Sequence, residues 1–92
     1  MSVQIELISR RGCHLCDEMQ AMLQRLQAER PFTWRLVDVD SAPGLVLYYS
    51  HRVPVLQVNG KTIAELRVPE AELRQRLLAS LDAATSPPTP AN

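Results

Sequence analysis

The chain has 92 residues, 46% of them hydrophobic, with ten basic and ten acidic side chains that cancel to no net charge. That length makes one domain with one modest core. Balanced charge without a long basic run excludes an electrostatic footprint for nucleic acid or an anionic membrane.

Val3, Ile5 and Leu7 alternate with Gln4 and Glu6, the period of a strand with one face buried, and Ile8 extends it. This alternation is not the apolar block of a secretion signal, and no stretch approaches the ~18 apolar residues of a membrane span. A cytoplasmic protein is therefore expected. Ser9 to Gly12 break the strand, and from His14 the period becomes helical. Leu15, Met19, Met22, Leu23 and Leu26 share one face, with the methionines as core fillers. Acidic Asp17 and Glu18 favour the first turn, and Pro31 ends the helix near Glu29 by disfavouring a helical Arg30.

Phe32 to Val39 is rich in aromatic and β-branched residues and predicts a strand largely buried on both faces. Asp40-Ser41-Ala42-Pro43 opens a short helix, with Ser41 or Ala42 near the cap. Leu45 to Tyr49 continue it, although so unbroken an apolar run also fits a strand. Val55 to Val58 is a third strand, and Asn59-Gly60 specifies a tight hairpin into Lys61–Leu66. Pro69 opens a last helix with Ala71, Leu73, Leu77, Leu78 and Leu81 on its apolar face. The domain is expected to occupy residues 1–82, and the proline-rich segment 83–92 reads as a disordered tail. The order β-α-β-α-β-β-α predicts an α/β fold with a four-stranded mixed sheet flanked by helices, since a right-handed crossover makes the first βαβ unit parallel.

The only two cysteines, Cys13 and Cys16, fall where the first strand gives way to the first helix. A Cys-x-x-Cys in that setting reads first as a dithiol redox motif. The helix start aims unpaired N–H groups and a positive dipole end at Cys13, which favours the attacking thiolate. A protonated His14 would act in the same sense; alternatively it is a solvated residue at a helix start. Asp17 and Glu18 oppose Arg10 and Arg11 in their effect on the sulfur. Two other readings of the pair remain: an inert relic, and metal or iron–sulfur binding. A tetrahedral zinc site needs four ligands, and Cys13, Cys16 and His14 supply at most three. A complete site would need a second chain or an outside thiol.

The element order, the string Cys13-His14-Leu15-Cys16-Asp17-Glu18 and the Val53-Pro54 pair before the hairpin resemble the thioredoxin fold. Within it they resemble the small bacterial glutaredoxin-like proteins, over residues 3 to about 82. The resemblance implies that Cys13 attacks and that Cys16, one turn deeper, resolves. It implies a cis bond before Pro54, with the backbone of Val53 free to pair with an extended substrate. Arg10 matches the basic residue that meets a glutathione carboxylate. Two departures fall on the site that grips the γ-glutamyl end: Ala64-Glu65 and Leu66-Arg67-Val68 replace a Gly-Gly and the acidic helix start. Arg52 replaces a threonine, and His14-Leu15 replace Pro-Tyr between the cysteines.

The expected activity is a monomeric thiol–disulfide oxidoreductase acting on protein or glutathione mixed disulfides. It would need no organic cofactor and no metal beyond a reductant, either glutathione or a thioredoxin-reductase-type partner. The competing expectations are a metal or iron–sulfur carrier using the same cysteines, either as a dimer or with an outside thiol, and a folded adaptor with incidental cysteines.

Overall fold

The computed structural model describes residues 3–85. Its elements are β1 (Ile5–Ser9), α1 (His14–Glu29), β2 (Arg35–Asp38), a 3₁₀ turn (Val39–Ser41), α2 (Pro43–Tyr49), β3 (Val55–Val58), β4 (Lys61–Glu65) and α3 (Glu70–Thr85). The strands form one mixed sheet in the order β2-β1-β3-β4. β1 runs parallel to β2, with Leu7 opposite Leu36, and antiparallel to β3, with Leu7 opposite Leu56. β3 and β4 form the hairpin turned by Asn59 and Gly60, both with positive φ. The register slips between Leu56 and Gln57 and leaves Ile63 as a bulge residue.

The larger core lies between the sheet and the pair α1 and α3. It joins Ile5 and Leu7 of β1 and Leu56 of β3 to Met19 and Leu23 of α1 and Leu73 and Leu77 of α3. A smaller core on the other face packs Ile8, Val39, Val53 and Val55 with Cys16, and Leu45 and Tyr49 of α2 cover it in part. Arg25 with Glu70, Arg74 with Glu29 and Arg30 with Asp82 tie α1 to α3 across their exposed edges.

Three expectations need correction. The stretch 32–39 is not a strand buried on both faces. Only Arg35–Asp38 is strand, and it lies at the sheet edge with Arg35, Leu36 and Asp38 exposed. Phe32 and Trp34 precede it and pack against the large core from the connecting segment. β1, expected to be half exposed, is the central strand, and only Glu6 along it escapes burial. Ala71 is exposed, while Leu73, Leu77 and Leu81 are the residues that bury α3. α3 ends at Thr85, three residues past the expected boundary, and residues 86–92 of the expected tail lie outside the described residues. No described helix is long and apolar enough to cross a membrane.

Candidate functional site

The turn into α1 is closed by the Cys13 N–H donating to the Arg10 carbonyl at 3.3 Å. Gly12 within it takes φ +74°, a conformation open to glycine at no steric cost. Cys13 then leaves the turn with extended backbone and becomes the N-cap of α1. Its carbonyl accepts the first helical hydrogen bond, from Asp17 at 3.1 Å, and its sulfur accepts the Cys16 N–H at 3.2 Å. The sulfur thus holds the place that a serine or aspartate oxygen fills at most helix starts. Negative charge on it is stabilised by that N–H and by the helix dipole.

Burial separates the two thiols. Cys13 is part-exposed, whereas Cys16 is only 2% exposed and sits among Ile8, Val39, Val53 and Val55. Burial pushes the Cys16 thiol up to about 12, the hydrogen bond with Cys13 adds to this, and a hydrogen bond with the Arg10 backbone acts the other way. Cys16 is therefore the poorer nucleophile of the pair in the reduced protein.

Arg10 is committed within the protein. Its Nε and Nη2 each donate to Asp40 at 3.1 Å, Nη2 reaches the Ser50 hydroxyl at 3.0 Å, and Nη1 reaches the Ser50 carbonyl at 3.4 Å. Asp40 holds the guanidinium above its ordinary value, with the nearby acidic charges and Cys13 acting in the same sense. The geometry makes Arg10 a strut from β1 to the 3₁₀ turn and the end of α2, beneath the cysteine turn. His14 is 86% exposed and pairs with Glu18 across 3.4 Å.

The Val53–Pro54 bond is cis. The Val53 N–H is not free for a substrate, because it donates to the Tyr49 carbonyl at 3.1 Å. Val53 belongs to the same small core as Cys16, and Cys13 packs against that core, so the loop and the dithiol share one cluster. Arg52 anchors the loop through Glu65 at 2.6 Å and lies over the Tyr49 ring at 5.3 Å.

One residue of this region had no signal in the sequence. Leu66 takes φ +60°, a left-handed backbone that costs a leucine on the order of 1–2 kcal/mol. Its N–H donates to the Pro54 carbonyl at 2.9 Å, which ties it to the cis-proline loop. Asp40 and Ser50 were equally silent, since nothing local marks a partner thirty or forty residues from Arg10.

Among the described residues, no three His, Cys, Asp or Glu side chains are grouped to hold a metal ion. The two sulfurs of one chain supply half of a tetrahedral set, and a shared site would draw the rest from elsewhere.

A four-stranded mixed sheet with helices on both faces, a Cys-x-x-Cys capping the first helix and a cis-proline loop against it define a thioredoxin-fold dithiol protein. The glutaredoxin-like domain (DUF836) matches residues 4–78, and the chain belongs to that family. The uncharacterized protein Rv0508 of Mycobacterium tuberculosis is 33% identical over 82 residues, covering 84% of each chain. The X-ray structure of protein XcR50 from X. campestris is 30% identical and superposes with TM-score 0.70 over 82% of this chain and 96% of that one. Thioredoxin 1 of Thermosipho africanus is 16% identical with TM-score 0.62, covering 90% of this chain and 99% of its own, a likeness of fold alone.

Proposed function

We propose that the protein is a glutaredoxin-like thiol–disulfide oxidoreductase. The Cys13 thiolate attacks one sulfur of a substrate disulfide, forms a mixed disulfide and expels the other sulfur as a thiolate, which takes a proton from water. The Cys16 thiol then gives up its proton to solvent, and its sulfur attacks Cys13 Sγ. The substrate's second thiolate leaves, and the Cys13–Cys16 disulfide remains. Two electrons pass from the dithiol to the substrate, and a reductant returns them: glutathione or a thioredoxin-reductase-type protein. No organic cofactor enters the exchange.

The observation that carries this reading is the pairing of an accessible N-cap sulfur, held by the Cys16 N–H, with a buried thiol one turn behind it. Such an arrangement makes attack and resolution sequential. The substrates are protein disulfides or glutathione mixed disulfides, the Val53 carbonyl and Pro54 border the incoming chain, and the protein acts as a cytoplasmic monomer. Arg10 serves this chemistry from beneath, by fixing the turn and adding positive charge near Cys13.

The test is a pair of variants. Cys16→Ser should accumulate Cys13 mixed disulfides with glutathione or with proteins, read by mass spectrometry. Cys13→Ser should abolish both trapping and reduction of 2-hydroxyethyl disulfide; activity that survives it would show that Cys13 is not the attacking group.

A further inference from the structure

The last residue of α2, Tyr49, and its C-cap, Ser50, stand between the two halves of the site, and the exchange chemistry gives Tyr49 no part. On one side the cysteine turn reaches them through Arg10, whose guanidinium donates to the Ser50 hydroxyl at 3.0 Å and to its carbonyl at 3.4 Å. On the other side the loop before β3 hangs from Tyr49. The Tyr49 carbonyl accepts the Arg52 N–H at 2.8 Å and the Val53 N–H at 3.1 Å. A chain of contacts therefore runs from the Cys13 turn through the end of α2 to Val53 and Pro54. The spacing of the two halves depends on where that end is fixed.

Its own burial does not fix α2, because none of its residues is buried and Leu47 and Tyr48 lie largely exposed. The Tyr49 side chain supplies three ties instead. Its ring, with Leu45 one turn earlier, packs against the small core that contains Cys16, Val53 and Val55. The Arg52 guanidinium lies over the same ring, 5.3 Å from its centroid, and Glu65 of β4 holds that guanidinium at 2.6 Å. The Tyr49 hydroxyl accepts a hydrogen bond from the Gln57 amide of β3 at 3.1 Å, and this amide also donates to Thr62 of β4 at 3.3 Å. One side chain thus joins the end of α2 to the loop, to the small core and to the hairpin. A residue that served packing alone would need neither the hydroxyl nor the stacked guanidinium.

We propose that Tyr49 is a positioning residue for thiol exchange, holding Val53 and Pro54 at the spacing from Cys13 that an extended disulfide substrate needs. It touches no reacting atom and acts through Val53. The inference rests on the oxidoreductase reading of Cys13, with the Val53-Pro54 loop bordering the incoming chain. A small disulfide has no main chain to lay along that loop and is indifferent to Tyr49. A peptide disulfide feels a displaced loop in its binding.

The test compares 2-hydroxyethyl disulfide with a peptide whose single cysteine is a mixed disulfide with 2-mercaptoethanol. Prereduced protein is mixed with each over a range of concentrations in single turnover. Tyr49→Leu should raise the half-saturating peptide concentration about tenfold, with the limiting rate within about twofold of the wild type. Its rate with 2-hydroxyethyl disulfide should also stay within about twofold. Tyr49→Phe keeps the ring beneath Arg52 and loses only the Gln57 bond, so it should recover most of the peptide binding. Amide exchange at Val53 should accelerate about tenfold in Tyr49→Leu while that at Leu23, in the larger core, is unchanged; a loss of structure in general would accelerate both. Should Tyr49→Leu fail to fold, Arg52→Met carries the test, since it bares the ring, leaves the small core filled and should weaken peptide binding in the same selective way. A folded variant that binds the peptide as the wild type does, or that slows both substrates equally, overturns the positioning role while the exchange chemistry stands. So does a wild type that reduces the small disulfide but shows no saturation with the peptide, because nothing then lies along the loop. A wild type that reduces neither substrate sinks the oxidoreductase reading instead.

Discussion

The backbone N–H of Cys16 donates to the sulfur of Cys13 across 3.2 Å, so the resolving residue steadies the attacking one before any bond joins them. The donor is main chain, and it persists whichever side chain stands at 16. Exchange of Cys16 for serine should therefore leave the environment of Cys13 largely intact, which is what makes it an informative trapping variant.

Alkylation should distinguish the thiols in the reduced protein. Cys16 is buried and its thiol is pushed up to about 12, so it holds its proton at any mild pH. Brief iodoacetamide treatment without denaturant should add one carbamidomethyl group, on Cys13, and Cys13→Ala should take up almost none. Equal labelling of both cysteines in the peptide map would contradict the burial of Cys16.

Removing the strut under the turn should loosen it. Arg10→Met and Asp40→Asn each break the same bidentate pair, so each should lower Tm, and the double variant should fall little further than the worse single one. Hydrogen exchange at the amides of Cys13 to Cys16 should accelerate in both. Strictly additive losses would mean that the two residues act separately.

The ion pairs between α1 and α3 set an acid limb on stability. Glu29 and Glu70 lie below their usual 4.5, because Arg74 and Arg25 respectively donate hydrogen bonds to them. A depressed folded-state value stabilises the fold above the unfolded carboxylate range, and the contribution is lost as pH falls through the lower folded value. The double variant Arg25→Met/Arg74→Met should unfold at lower urea than the wild type at neutral pH, with the two midpoints converging as pH falls below the ordinary carboxylate range. Both pairs are exposed, so the gap should be small and should shrink in about 1 M salt. A gap that widens in acid would reverse the sign argued here.

Core and surface leucines should part company by an order of magnitude. Leu23 is fully buried between α1 and the sheet, and Leu23→Ala should cost about 2–5 kcal/mol, lowering Tm by at least about 10 °C. Leu47 on α2 is 79% exposed, and Leu47→Ala should stay within about 0.5 kcal/mol of the wild type by urea denaturation.

The amino-acid sequence by itself determined the order of elements, the start of α1 at His14, the hairpin at Asn59-Gly60 and the seat of the dithiol at a helix N-terminus. Each follows from interactions within a few residues: side-chain period, a proline after a helix, residues that tolerate positive φ. Only the tertiary structure decided which strand is central. β1 reads as half exposed because Glu6 interrupts its apolar residues, yet it lies between β2 and β3. The run Phe32–Val39 reads as doubly buried because aromatic and β-branched residues crowd it, yet they serve a connecting segment and an edge. The same holds at the site, where Asp40 and Ser50 claim Arg10, Tyr49 claims the Val53 N–H, and the Pro54 carbonyl ties Leu66 to the cis-proline loop. Most of these partners lie more than ten residues apart along the chain, and pattern within a local window carries no information about such pairings.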